Sequence, residues 1–369
     1  MQLAATSREE LITLARQAVL SGGPLSGDVP NWIQSSWLRC MARGLSPQQR
    51  VGFDVISSAQ MRRSREGNRL LAQAALPTLH TLAQTIAPTR YFAILTNAQG
   101  VVVASSGEID SADRRASLIT REGVDLSEAA VGTTAIGSAL VQQHDVWLHR
   151  GEHFFADTGS YSCAGSPIFG AQGACVGMLD VTGVDVPERP ELMHLVSSAA
   201  RRIENQLVLA APHSLVLHLR WPGIEAAAKE SEGLLCVDEE GAICAMNGTA
   251  RRMLGFELAA ARHLSEIFAT PFERLFDTRL GQAPLAVPLW SGLQVQVRSS
   301  RGGKLSPKSS APAVDTRVYK PVGALKAHEK DVIRDTVTQL KGNVAAAAVK
   351  LGISRATVYR KLQAKNIIN

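Results

Sequence analysis

The stretch GNVAAAAVKLGISRATVYRKLQAKNI, residues 342–367, decides how the C-terminal end of this chain is read. Asn343 can cap a first helix, because its side-chain oxygen accepts from amides that lack an intrahelical partner. Ala345, Ala346, Ala347 and Ala348 favour helix. Leu351 ends the apolar face, and Gly352 can adopt the left-handed conformation that closes a helix. Ile353 then packs inward and Ser354 can cap a second helix. Val358 and Leu362 lie four apart and share one face. Arg355, Thr357, Tyr359, Arg360 and Lys361 are left on the outer and leading surface. The pattern is a helix-turn-helix, with its second helix suited to the DNA major groove. No acidic residue follows Asp335, whereas Lys341, Lys350, Arg355, Arg360, Lys361 and Lys365 are all positive. Such a surface attracts phosphate and releases counterions.

The chain has 369 residues, 45% of them hydrophobic, enough for roughly two to three buried cores. Its formal charge is +6, which those six C-terminal cations account for. The remainder is near balance, which argues against a general polyanion binder. Five scattered cysteines without a CxxC pair fit a reduced, cytoplasmic environment, here a nucleoid-associated one. Arg8, Glu9, Glu10 and Arg16 interrupt the N-terminal helical pattern, so no signal peptide is read. No apolar run is long enough to cross a membrane.

Working back from the C-terminus, 299–320 is rich in Ser, Gly, Lys and Pro and reads as a flexible linker ahead of a DNA-binding domain at 321–369. Residues 1–64 read as a helical segment, with helices expected at 7–20 and 31–44. Helical spacing continues over 58–86. Strands are expected at 91–96, 101–105, 146–149, 166–169 and 175–181, with helices at 132–143 and 188–209. Antiparallel strands flanked by helices make 65–210 a sensory domain of α+β type. A second domain, 225–298, starts with a hairpin, 233–237 and 242–246, turning at Asp238-Glu239-Glu240-Gly241. A short helix from 247 to 254, a partly helical 267–276 and strands at 285–289 and 293–298 follow.

Three segments resemble known families. Residues 342–362 are similar to the C-terminal domain of the Fis family. That resemblance implies that Ser354, Arg355, Thr357, Arg360 and Lys361 contact DNA, and that the preceding helix, about 325–340, helps form a homodimer. Val332, Ile333, Val337 and Leu340 fit such an amphipathic helix. Arg355, at the start of the recognition helix, is placed to bond a guanine edge; Lys361 and Lys365 suit phosphates, and Tyr359 shares the surface. SSWLRCMARGLSP (35–47), together with LSEAAVGTTAIGSAL (126–140), GEHFF (151–155) and YSCAGSPIFGAQGACVGMLDVTG (161–183), resembles the sensory region of sigma-fifty-four enhancer-binding activators of the acetoin-catabolism-regulator type. The later stretch corresponds to their GAF domain. GLLCVDEEGAICAMNGTARRMLG (233–255) resembles the first hairpin and helix of a PAS domain. The resemblance therefore implies an α+β multidomain chain: a GAF-like sensor, a PAS-like domain and a C-terminal all-α Fis-type helix-turn-helix.

The chain departs from that family in three ways. Leu126 and Thr134 stand where members usually have Trp and Asn. No GxxxxGK[ST] phosphate loop occurs anywhere, and Gly302-Gly303-Lys304-Leu305 lacks the required spacing. The GAFTGA loop that contacts the sigma factor is absent too. About twenty-five residues separate the PAS-like segment from the Fis-type end, too few for an ATPase domain.

A sensory pocket needs an enclosed apolar space with a few directed polar groups. Thr133, Thr134, Trp147, His153, Phe154, Phe155, Tyr161, Cys163 and Ser166 cluster in the GAF-like stretch and are the candidates, against the plain alternative that the aromatic ones are core. His149 and His153 have a zinc-like spacing only on a helix, and Gly151 breaks the segment, so no metal or cofactor is assigned. The expected function is a sequence-specific transcriptional regulator, not an enzyme. It would bind double-stranded DNA at an inverted repeat and respond to a small-molecule effector, with RNA polymerase a further partner and no membrane contact. The competing readings are a constitutive architectural DNA-binding protein, a competitor of a full-length paralogue, and an enzyme using the His153/Cys163 region.

Overall fold

The computed structural model describes residues 7–223, 232–255, 262–276 and 283–301, together with Thr336 and Val344, both helical. The chain divides into two compact units, Met1–Leu305 and Ser306–Asn369. Ser354, Arg355, Thr357, Tyr359, Arg360, Lys361 and Lys365 lie outside the described residues, as does 302–320 of the expected linker.

The first unit starts with two helices, α1 (Arg8–Leu20) and α2 (Asn31–Ala42). Ser7 and Glu10 form a reciprocal capping box that starts α1. The stretch 58–86, expected to be helical, is two helices, α3 (Ser58–Gly67) and α4 (Arg69–Ile86), separated at Asn68. In α4, Leu71, Ala75, Leu79, Leu82 and Ile86 recur at helical spacing and are all buried.

A five-stranded antiparallel sheet follows: β1 (Tyr91–Asn97), β2 (Val102–Ser106), β3 (Val146–His149), β4 (Tyr161–Phe169) and β5 (Cys175–Val184), in the order β2-β1-β5-β4-β3. Its central strands are covered on both faces, so β1 reads as a continuous apolar run and is buried throughout. β4 starts five residues earlier than expected, because Tyr161–Gly165 keep the ladder with β5. One face packs on α4 and on α8 (Leu192–Leu209) through Ala93, Leu95, Ala164, Leu179 and Val181. The other lies beneath α5 (Arg114–Ile119), α6 (Glu128–Val131) and α7 (Ala135–Gln142), with Ile94, Leu148, Cys163 and Met178 facing them.

The second sheet holds β6 (Leu215–Arg220), β7 (Gly233–Val237), β8 (Ile243–Met246), β9 (Leu285–Pro288) and β10 (Gln294–Arg301), in the order β8-β7-β6-β10-β9. The sequence reading leaves 215–220 between its two domains. The structure makes that strand the centre of the sheet, with Leu215, Leu217 and Leu219 in the core. Ser299, Ser300 and Arg301, expected as linker, extend β10 instead, because Leu217, Val216 and Leu215 of β6 fill their ladder. The short helices α9 (Gly248–Leu254) and α10 (Glu273–Phe276) accompany this sheet. The end of α8 also reaches it, Val208 packing with Val216, Leu234 and Cys236. Among the described residues no helix is long and apolar enough to cross a membrane.

Candidate functional site

Strand alternation builds a pocket on the face of the first sheet beneath α6 and α7. Successive side chains point to opposite faces, so Tyr161 and Cys163 of β4 share this side with Asp180 and Thr182 of β5 and with Ile94 of β1. The register sets Cys163 against Thr182, and Asp180 between Ile94 and Gly165. The roof comes from Val131, Thr134, Ala135 and Ile136. Phe53, Ile119 and Leu126 close one side, and His153 and Thr158 come from the segment between β3 and β4. The cavity left is about 30 Å3, room for roughly one or two waters.

Its polar groups form a connected cluster. Nδ1 of His153 lies 3.0 Å from the Arg150 carbonyl oxygen. A carbonyl only accepts, so that nitrogen carries the proton and Nε2 is left as the acceptor. Cys163 Sγ stands 3.5 Å from Nε2. The Thr182 hydroxyl lies 3.2 Å from Cys163 Sγ and also contacts Asp180 Oδ2. Its single proton serves one of the two. Asp180 is fully buried, and its Oδ1 has no hydrogen-bond partner. The register gives the reason: Ile94 and Gly165 beside it offer no side-chain donor.

Burial sets the protonation states. It pushes the Asp180 carboxyl up to about 7, with the Thr182 hydrogen bond opposing. It pulls His153 down to about 4 and holds the Cys163 thiol well above its ordinary value. Near neutral pH the pair is therefore thiol and neutral imidazole, not the thiolate and imidazolium that cysteine nucleophiles use. The chemistry on offer is recognition: a small, largely apolar space with one orphaned acceptor.

Of the residues expected in a sensory pocket, Thr134, His153, Tyr161 and Cys163 line this one. Trp147 and Ser166 fall on the opposite strand parity. Trp147 packs against the α4/α8 core and stacks on His149, and the Ser166 hydroxyl donates to Asp145 at 2.6 Å. Thr133 sits outside the cavity, 2.8 Å from the Ser36 hydroxyl. Phe154 and Phe155 are core, packed with Ile12, Ile33, Trp37 and Cys40 of α1 and α2. Asp180 and Thr182 were missed, although a lone carboxylate inside the apolar run CVGMLDVTGV is itself a signal. Phe53 and Ile119 come from segments that no local pattern links to the sheet.

The N-terminal helices hold the wall of the pocket. Arg16 Nη1 donates to the carbonyl oxygens of Gly151, at 3.0 Å, and His153, at 2.6 Å, and Nη2 donates to that of Phe154. Trp37, fully buried, donates from Nε1 to the Glu152 carbonyl at 2.9 Å. Buried Glu128, in α6, accepts from Ser36 and from two nitrogens of Arg39, at 2.6–2.8 Å, and Arg43 approaches to 3.4 Å. α1 and α2 thus share a core with Phe154 and Phe155, next to the pocket residue His153.

The profile described as MimR, N-terminal domain, matches residues 11–205, more than half of the chain. The chain belongs to that family. The match spans the two helices, the first sheet and the pocket, and it contains the stretches 35–47 and 126–183 that resemble acetoin-type activators. Residues 324–364 match the bacterial regulatory protein Fis family. Among the relatives is the acetoin catabolism regulatory protein of Cupriavidus necator, 31% identical over 305 residues, which cover 78% of this chain and 45% of that protein. The propane 2-monooxygenase operon transcriptional activator of Mycolicibacterium smegmatis is 29% identical over 52% of this chain and 32% of its own length. The Bacillus subtilis acetoin dehydrogenase operon transcriptional activator is 26% identical over 64% of this chain and 38% of its own. The chain thus spans less than half the length of these relatives. Among solved structures, the E. coli DhaR(N)–DhaL complex covers 73% of this chain and 98% of its own, at 13% identity and a TM-score of 0.46.

Proposed function

We propose that this chain is a sequence-specific DNA-binding transcriptional regulator whose buried pocket takes a small effector, and that it acts without an ATPase of its own. The main support is the joining, in one polypeptide, of a MimR N-terminal domain over 11–205 with a Fis-type match over 324–364. In this reading the first sheet is a GAF-like sensor, the second a PAS-like relay, and a paired helix-turn-helix reads an inverted repeat with half-sites about one helical turn apart. Ser354, Arg355, Thr357, Tyr359, Arg360, Lys361 and Lys365 form the DNA surface. The protein works in the cytoplasm, by occupying operators or by recruiting RNA polymerase. No phosphate-loop motif stands in the sequence to support remodelling by ATP hydrolysis.

The pocket chemistry favours a small, mostly apolar molecule with one hydrogen-bond donor, such as a hydroxyl, for Asp180 Oδ1. Relatives named for acetoin catabolism and for a propane 2-monooxygenase operon fit effectors of that scale. A 30 Å3 cavity has to expand to admit one. Expansion moves the 150–158 segment, and Arg16 and Trp37 tie that segment to α1 and α2. The effector then shifts a population between two arrangements, and DNA affinity changes by the coupling energy.

The test is selection of bound genomic fragments by the full chain, then anisotropy titration on the recovered duplex with a panel of small oxygenated metabolites. One duplex should bind far more tightly than random sequence, with the affinity shifted by one metabolite and that shift lost in Asp180→Asn. Failure to bind any duplex at modest ionic strength, with or without metabolites, overturns the reading.

A further inference from the structure

The outer face of the second sheet carries an arginine, Arg298, whose charge no acid answers among the described residues. Val295 and Val297 of β10 enter the core, so Gln296, Arg298 and Ser300 face the other way, as do His218 and Arg220 of β6. The register sets Gln296 opposite Arg220 and Arg298 opposite His218. With Pro284 they line a cleft of about 330 Å3. The acid of the group, Glu232, is already engaged. It accepts from Arg220 through Nε, at 2.6 Å, and Nη2, and from His218 Nδ1 at 2.9 Å. These hydrogen bonds, His218's first, hold its carboxyl below the ordinary range. The second nitrogen of His218 lies 3.3 Å from the Ser300 hydroxyl. Arg298 has no ion pair or hydrogen bond among the described residues, and its Nε is buried without an acceptor.

A buried guanidinium nitrogen with no acceptor is costly, and native structures rarely leave one so. Arg298 is the guanidinium in this cleft with no carboxylate partner among the described residues, and Gln296 adds a neutral donor. A guanidinium fork matches the paired oxygens of a carboxylate or phosphate. We propose that this cleft is a binding site for a small oxyanion, a carboxylate or phosphate group, held by Arg298 with support from Gln296. It is separate from the apolar pocket of the first sheet, so the protein reads two chemically different ligands.

Calorimetric titration of the full chain with inorganic phosphate and, separately, with succinate, at ionic strength held constant by sodium chloride, tests the site. At least one of the two should bind saturably near one equivalent. Arg298→Gln should weaken it by about tenfold or more, and Arg298→Lys, which keeps the charge but loses the fork, by less. Without anions, Arg298→Gln should melt no lower than the unaltered protein, because it removes an unanswered buried donor. A purely structural Arg298 would make that variant less stable. Absence of saturable binding for both anions, or binding that survives Arg298→Gln, overturns the proposal. Operator binding by the same variants is read separately and leaves the DNA-binding reading independent of the result.

Discussion

Arg16, on the first helix, donates at 2.6 Å to the main-chain oxygen of His153, the residue whose ring lines the pocket. One guanidinium thus links a helix that the sequence shows as a separate N-terminal segment to the wall of the first sheet's pocket, 137 residues along the chain. The contact is to backbone, so it fixes where the segment lies whatever side chains it carries.

Replacing Arg16 by Gln leaves the carbonyls of Gly151, His153 and Phe154 without their donor. The expected loss is about 2–3 kcal/mol in urea unfolding, since hydrogen bonds from charged donors are worth more than neutral ones but this residue is part-exposed. Effector affinity should fall with it while DNA affinity without effector is kept. An unchanged denaturation midpoint would show that the segment holds its place unaided.

Two buried groups in the pocket pull the pH dependence of stability in opposite directions. Asp180 titrates near 7 when folded against an ordinary 3.8, so the folded protein keeps a proton the unfolded chain has released. Its contribution is lost as pH rises from about 4 to 7. His153 titrates near 4 against an ordinary 6.5, so here the unfolded chain takes up the proton. Its contribution is lost as pH falls from 6.5 towards 4. The slopes, each about 1.4 kcal/mol per pH unit at most, oppose one another between about pH 4 and 6.5. Asp180→Asn should unmask a stability that climbs with pH across that window, and His153→Gln one that declines. Chemical denaturation at intervals of half a pH unit reads both, and parallel curves for the two variants would contradict the assignment.

Asn247 caps α9 and clamps it to its surroundings. Its Oδ1 accepts from the amides of Leu234, at 3.0 Å, and Ala250, at 2.8 Å. Its Nδ2 donates to Asn205 of α8, at 2.7 Å, and to the Glu232 carbonyl, at 2.9 Å. Asn247→Ala should cost about 2–4 kcal/mol, above an ordinary cap, because buried partners are left unsatisfied. Asn247→Asp, which keeps the acceptor and loses the donor, should fall between. Thermal unfolding of the three proteins ranks them.

At the C-terminal end, Arg355→Ala should lose on the order of 1–3 kcal/mol at the cognate operator and relax the preference at one base position. Lys361→Ala should weaken all duplexes about equally and reduce the salt dependence. A uniform loss from Arg355→Ala would make it a phosphate contact.

Much of the architecture is written in local patterns. The strand at Val146–His149 and the first strand of the second hairpin, Gly233–Val237, have the bounds expected from their apolar runs. The end of α8 at Leu209 was equally readable, and the short helix expected at 247–254 forms as Gly248–Leu254 with Asn247 as its cap. The central strand of the second sheet carries a visible alternation, Leu215, Leu217 and Leu219, but it is short and sits where a domain boundary seemed natural. Of the pocket, the sequence picked out Thr134, His153, Tyr161 and Cys163. It mixed them with Trp147 and Ser166, because which alternate residues of a strand face the pocket is set by how the sheet packs, not by the strand's own pattern.

By itself the sequence determined the periodicities, turns and caps, the family motifs and the charge of the C-terminal end, all of which depend on residues a few positions apart. Only the tertiary structure decided that α1 and α2 hold the 151–154 backbone beside the pocket, that Asp180 lies between a glycine and an isoleucine with an oxygen unanswered, and that Arg298 faces a cleft beside which Glu232 is already engaged. Those facts rest on contacts between residues up to about 140 positions apart, such as Arg16 with Phe154. Such contacts are set by strand register and by how whole faces pack, and no short window of sequence carries that information.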